Sequence, residues 1–134
     1  MTKAIQQSVK FSAPPEKLFE MYLDSKKHSE STGGAAELSR EVGGKFTAWH
    51  GQLEGRNLLI VPNKMIVQAW RSVNFKTSDP DSILVLQFST APGGGRVDLV
   101  HVNVPEQDHK GVSQGWPKYY WKPWKKYLAG KPRG

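Results

Sequence analysis

Four histidines are the most chemically versatile side chains of this sequence: His28, His50, His101 and His109. An imidazole can carry a proton, hold a metal or orient a neighbour. Metal binding asks for closely spaced ligands, such as His-x-x-x-His on one helix face, and no pair here has that spacing. With no cysteine in the chain, thiolate-bound zinc, thiol nucleophiles and disulfides are excluded. The Gly-x-Ser-x-Gly pattern of a serine nucleophile is absent. Gly93-Gly94-Gly95-Arg96 lacks the spacing and the lysine of a phosphate loop and reads as a flexible hairpin. His50 is followed by Glu54, but no third partner completes a catalytic set. His101 falls in a strand and faces either core or cavity, and its leading reading is a structural histidine satisfied by hydrogen bonds. No catalytic residue, metal or cofactor is assigned.

The aromatic residues offer binding chemistry instead. Trp49 and Trp70 lie near strand ends, and Phe88, Trp116, Tyr120 and Trp124 stand in apolar patterns. Together with His101 they would wall a space that is mostly apolar with a few polar tips. Such a space suits a hydrophobic or aromatic small molecule. It equally describes a fully packed core, and the residue types alone leave both open.

Charge is distributed unevenly. The chain carries 19 Lys+Arg and 12 Asp+Glu, a net charge of +7. From His109 onward there is no acid, so the excess belongs to the C-terminal segment. On a helix over residues 116–128, Trp116, Tyr120, Trp124 and Tyr127 form one stripe, with Trp121 and Leu128 at its edge. Lys118, Lys122, Lys125 and Lys126 gather on the other side, so the segment is expected to be amphipathic. Pro117 suits a first helical turn, and Pro123 is expected to kink the helix. A solvated face is the leading reading of the lysines, and an acidic protein surface is the partner they would fit. The aromatics are not interleaved with them on that face, which argues against nucleic acid.

A length of 134 residues suits one domain over 1–134, with 131–134 as a frayed end. No apolar run approaches the roughly 20 residues of a membrane span, and no signal peptide is visible. A cytoplasmic protein is expected. A strand over 3–11 carries Ile5, Val9 and Phe11 on one face, broken only by Gln7. Pro14-Pro15 opens a helix containing Leu18, Phe19, Tyr22 and Leu23. Asp24 or Ser25 caps a second short helix that Gly33-Gly34 stops. Six strands follow, over 37–41, 45–50, 53–61, 65–72, 82–90 and 96–104, joined by turns at 42–44, 62–64 and 91–95. Residues 110–114 lead into the long final helix. Strands joined by short turns are antiparallel, and the aromatic helix must cover one face of their sheet.

Four stretches carry a resemblance. They are Phe11-Ser12-Ala13-Pro14-Pro15-Glu16-Lys17-Leu18-Phe19, Val42-Gly43-Gly44-Lys45-Phe46, the hairpin from Leu58 to Arg71, and His101–Pro105 with Gly115–Tyr120. In this order and spacing they resemble the START-like (SRPBCC) superfamily. The closer likeness is to the family related to the C-terminal domain of the activator of heat-shock protein 90 ATPase. The resemblance implies an α+β helix-grip fold, a seven-stranded curved antiparallel sheet around a long C-terminal helix with two short helices after the first strand. It also implies possible partners: an apolar ligand in an internal pocket, or a chaperone. The leading functional reading is a non-enzymatic binding protein for an apolar or aromatic molecule. The alternatives are a cyclase or hydrolase using the same cavity, and an interaction or co-chaperone module docking through the basic helix.

Overall fold

The structure, a computed structural model, describes residues 2–130, so the expected frayed end at 131–134 lies outside the described residues. The element order follows the sequence pattern. Strand β1 (Ile5–Phe11) leads to helices α1 (Pro15–Leu23) and α2 (Ser25–Thr32). Then come β2 (Glu37–Leu38), β3 (Lys45–Ala48), β4 (Leu53–Val61), β5 (Met65–Ser72), β6 (Ser82–Ala91) and β7 (Gly94–Val102). The C-terminal helix runs as α3 (Glu106–Trp116), a π-turn (Pro117–Trp121) and α4 (Lys122–Ala129).

All seven strands join one antiparallel sheet in the order β1-β7-β6-β5-β4-β3-β2. The chain meanders from β2 to β7, and β1 closes on the last strand. Register decides which side chains share the inner face. One cross-sheet row reads Ile5, His101, Leu84, Gln68, Asn57, and the next reads Gln7, Leu99, Leu86, Ile66. The α+β helix-grip architecture implied by the sequence is the observed one.

Local chemistry sets the boundaries. Pro15 opens α1 where a missing N–H is harmless. Asp24 caps α2, accepting the Lys27 N–H at 3.0 Å, and Gly33 ends it with φ +87°. Strand β2 is shorter than the expected 37–41 because the Asn57 amide takes the Ser39 and Glu41 carbonyls at 2.8 and 3.0 Å. Strand β3 stops at Ala48, short of the expected His50, because Trp49 and His50 adopt φ of +50° and +57°. A strand cannot continue through left-handed backbone. The expected loop at 91–95 is a tight turn at Pro92-Gly93, and Gly94 is already in β7. A side chain at Gly94 would run into the Phe11 carbonyl.

The final helix differs most from expectation. It begins at Glu106, upstream of the lead-in expected at 110–114. Pro105 followed by Glu106 and Asp108 is the start signal, an acid-rich first turn behind a proline. Pro123 neither breaks the helix nor leaves it regular. The chain widens into a π-turn just before it, with the Lys122 N–H reaching back to the Pro117 carbonyl. Widening relieves the clash between a proline ring and the carbonyl four residues earlier. The wider turn also delays the helical phase. Trp121, expected at the stripe edge, becomes buried, and Tyr127, expected on the stripe, is 40 % exposed.

Candidate functional site

The C-terminal helix meets the sheet largely through aromatic rings. Trp116 lies 6.2 Å from Trp70 and 5.9 Å from His101, ring centroid to centroid. Trp121 and Trp124 both pack on Phe11. Rings this large hold a helix away from the strands, and the helix does not fill all the space behind them. A half-open cleft of about 490 Å³ remains. One wall is the α3 face bearing Asp108, Gly111, Val112, Gly115 and Trp116, with Tyr119 and Tyr120 from the π-turn. The other is the Trp49–Leu53 turn with Trp70, Ser72, Val73 and Asn74 from the end of β5.

Of the residues singled out from sequence, Trp49, His50, Trp70, Trp116 and Tyr120 line this cleft. Phe88 and Trp124 lie elsewhere. Phe88 stacks edge-on against Phe19 at 5.5 Å, and Trp124 is fully buried against Phe11, Trp121 and Tyr120. His101 sits behind the Trp70 and Trp116 rings. Missed by sequence reasoning were Ser72, Asn74, Asp108 and the two α3 glycines. Their part in the site depends on β5 meeting the start of α3, which no local pattern records.

The polar groups divide into two sets. Behind the cleft, the Trp116 indole N–H donates to His101 Nδ1 at 3.2 Å. That bond makes Nδ1 the acceptor and Nε2 the protonated nitrogen, which lies 2.8 Å from Ser82 Oγ. Ser82 in turn donates to the Trp70 carbonyl at 2.7 Å. Burial, reinforced by the nearby His109, holds the His101 pKa down at about 3. On the other flank, His28 donates from Nδ1 to the Tyr22 carbonyl at 2.7 Å and accepts the Tyr120 hydroxyl at Nε2, 2.9 Å. Burial lowers its pKa to about 4 although the Tyr22 carbonyl favours the charged form. Burial also pushes the Tyr120 and Tyr22 phenols well above their ordinary value. Tyr22 continues the network to Gln68 at 2.7 Å, and Gln68 to Asn57 at 3.0 Å. Both buried histidines are therefore neutral and have both ring nitrogens occupied.

The second set belongs to residues that line the cleft. Asp108 is a buried carboxylate that receives the Ser72 hydroxyl at 2.6 Å and the Asn74 amide at 3.3 Å. Trp49 and Trp70 keep their indole N–H groups buried with no acceptor among the described residues, as does Trp124 in the core. The Trp49 ring lies flat against Gly34, where any side chain would collide with it. Among the described residues no cluster of three potential ligands could hold a metal. Lys118, Lys122, Lys125 and Lys126 are all exposed, and Lys118 places its Nζ 5.2 Å from the Tyr119 ring centroid.

This combination of a curved sheet, a gripping helix and an aromatic cleft defines a START-like helix-grip domain. The chain belongs to the Activator of Hsp90 ATPase homolog 1-like protein family, whose sequence profile matches residues 12–129. It is 22 % identical over 117 residues to the "Activator of 90 kDa heat shock protein ATPase homolog" of Dictyostelium discoideum, covering 87 % of this chain and 30 % of that protein. It is 27 % identical over 112 residues to the "Activator of 90 kDa heat shock protein ATPase homolog 1" of Homo sapiens, covering 82 % and 32 %. The chain thus spans about a third of the length of these curated relatives. Among solved structures, it resembles PFC0360w, an HSP90 activator from Plasmodium falciparum, with a TM-score of 0.80 at 24 % identity over 90 % of this chain and 92 % of that one. Protein MLL2253 from Mesorhizobium loti gives 0.81 at 19 % identity over 98 % and 100 %. At these identities the structural likeness establishes the fold. No helix among the described residues is long and apolar enough to cross a membrane.

Proposed function

We propose that this protein binds an apolar or aromatic small molecule in the cleft beside α3. The observation that carries this reading is a space of about 490 Å³ walled by Trp49, Trp70, Trp116, Tyr119 and Tyr120. Spaces of this size and lining take drug-sized ligands, with a few polar groups fixing orientation. An enzymatic use of the same cleft has less support. The two buried histidines are committed to Tyr120, the Tyr22 carbonyl, Trp116 and Ser82 and have no free nitrogen to offer a substrate. Native mass spectrometry of the purified protein, with tryptophan fluorescence titrations against fatty acids, flavonoids and polycyclic aromatics, tests the reading. A co-purifying molecule or a saturable change is expected, and its absence across the panel removes the proposal.

A second reading rests on a separate observation. Lys118, Lys122, Lys125 and Lys126 stand exposed on the same helix that walls the cleft, and no acid among the described residues pairs with them. Relatives of this chain are named as chaperone activators. Association with a chaperone or another acidic partner through this face, in the cytoplasm, fits both facts. It does not compete with ligand binding, since none of the four lysines is among the residues that line the cleft.

A further inference from the structure

We infer that the cleft selects aromatic ligands carrying a cationic amine, with Asp108 receiving the amine. This deepens the small-molecule reading and rests on it. Asp108 is 7 % exposed and is one of the residues that line the cleft. A carboxylate offers about four acceptor sites. Ser72 and Asn74, both neutral, occupy one on each oxygen. No lysine or arginine lines the cleft and His50 is its one basic side chain, while the Asp108 carboxylate has no partner ion among the described residues. Placement in the first turn of α3 stabilises a carboxylate through the helix dipole, and that alone would explain an exposed acid. It does not explain a buried one at the edge of an open cleft.

The rest of the cleft supplies the aromatic half. Asp108 and Trp116 stand eight residues apart along α3, an axial separation of roughly 12 Å. The carboxylate therefore marks one end of an elongated site, and Trp49, Trp116 and Tyr119 mark the other. Trp70 stands between them, two residues before Ser72 on the same strand face, and it is 3 % exposed. Its indole N–H has no acceptor among the described residues, and a polar atom on the ligand would satisfy it. Gly111 and Gly115 leave Val112 as the one side chain on the helix wall between these ends. Selection of a cation here would run against the whole protein, whose net charge of +7 repels cations at long range. Any preference must then arise locally.

Three probes of one shape separate the terms: 4-(1-naphthyl)butylamine, 4-(1-naphthyl)butan-1-ol and 4-(1-naphthyl)butanoate. Affinities come from calorimetry at pH 7, and the indole N–H resonances of Trp49 and Trp70 report the site. The amine is expected to bind about tenfold tighter than the alcohol, the difference between a cationic and a neutral donor to the same carboxylate. The butanoate is expected to be weakest. Asp108→Asn should bring amine and alcohol to within about twofold, with the amine losing the more affinity. Equal binding of amine and alcohol by the unaltered protein overturns the inference and leaves ring binding in place. A preference that Asp108→Asn retains overturns it as well. Failure of all three probes removes both this inference and the cleft reading beneath it. The comparison in the unaltered protein stands even if the variant folds poorly.

Discussion

The Gln7 side chain donates from Nε2 to the Ser113 carbonyl at 2.9 Å, linking the first strand to the last helix across 106 residues of chain. In a regular helix that carbonyl would receive the N–H of residue 117, which is proline and has none. The same amide accepts the Trp121 indole N–H through Oε1 at 2.7 Å. One glutamine on an otherwise apolar strand face thus serves the carbonyl that Pro117 leaves without its donor and the tryptophan that the π-turn brings inward.

Replacing Gln7 with Leu is expected to lower stability by about 1–3 kcal/mol, because an acceptor and a donor both lose their partner. Urea unfolding measures the loss, and the indole resonance of Trp121 should shift. A change within about 0.5 kcal/mol, as at an ordinary surface position, would show that the clamp contributes little.

Acid should destabilise the protein through its buried histidines. The folded-state pKa values of about 4 for His28 and about 3 for His101 lie below the ordinary 6.5. Between these values and 6.5 the unfolded chain binds more protons than the folded one, so stability falls as pH drops below about 6.5. The slope is up to about 1.4 kcal/mol per pH unit for each histidine and levels off below the folded values. Urea midpoints from pH 7.5 to 5 check this. His28→Gln should roughly halve the slope in that window, and an unchanged slope would show that His28 does not titrate as described.

Gly115→Ala should stabilise the fold and weaken binding in the cleft. The added methyl would sit 3.5 Å from the Tyr119 ring, an ordinary contact, while the helix gains about 0.5–1 kcal/mol from losing a glycine. A raised thermal midpoint together with reduced affinity for whichever aromatic probe binds is the expected pair of results. Unreduced affinity would show that ligands do not pass along this helix wall.

Reversing Lys118, Lys122, Lys125 and Lys126 to Glu should leave stability within about 1 kcal/mol, since exposed charges contribute little. Capture of acidic partners from lysate should weaken, and the unaltered protein's capture should fall with added salt. An identical, salt-insensitive set of partners for both proteins would reduce the lysine face to a solubility feature.

The strands and their turns were legible because their causes are local. Alternation at Ile5, Val9 and Phe11, the turn at Pro62-Asn63-Lys64 and the stop at Gly33 each depend on a few consecutive residues. The same holds for the lysine face, which one helical period assigns, and the ordered run of short strands before one long helix was enough for the α+β architecture. The site was only half legible. Trp49, Trp70, Trp116 and Tyr120 announce themselves as large rings, but Phe88 and Trp124 look the same in sequence and are packed in the core.

What separates those rings is where each stands when β5 and α3 converge, and that is set by sheet register and by the phase of a helix with a π-turn in it. Ser72 and Asp108 are 36 residues apart, and His28 and Tyr120 are 92 apart. Each is unremarkable in its own segment. A hydrogen bond requires atoms placed within a few tenths of an ångström, and for residues so distant only the packed tertiary structure fixes that distance.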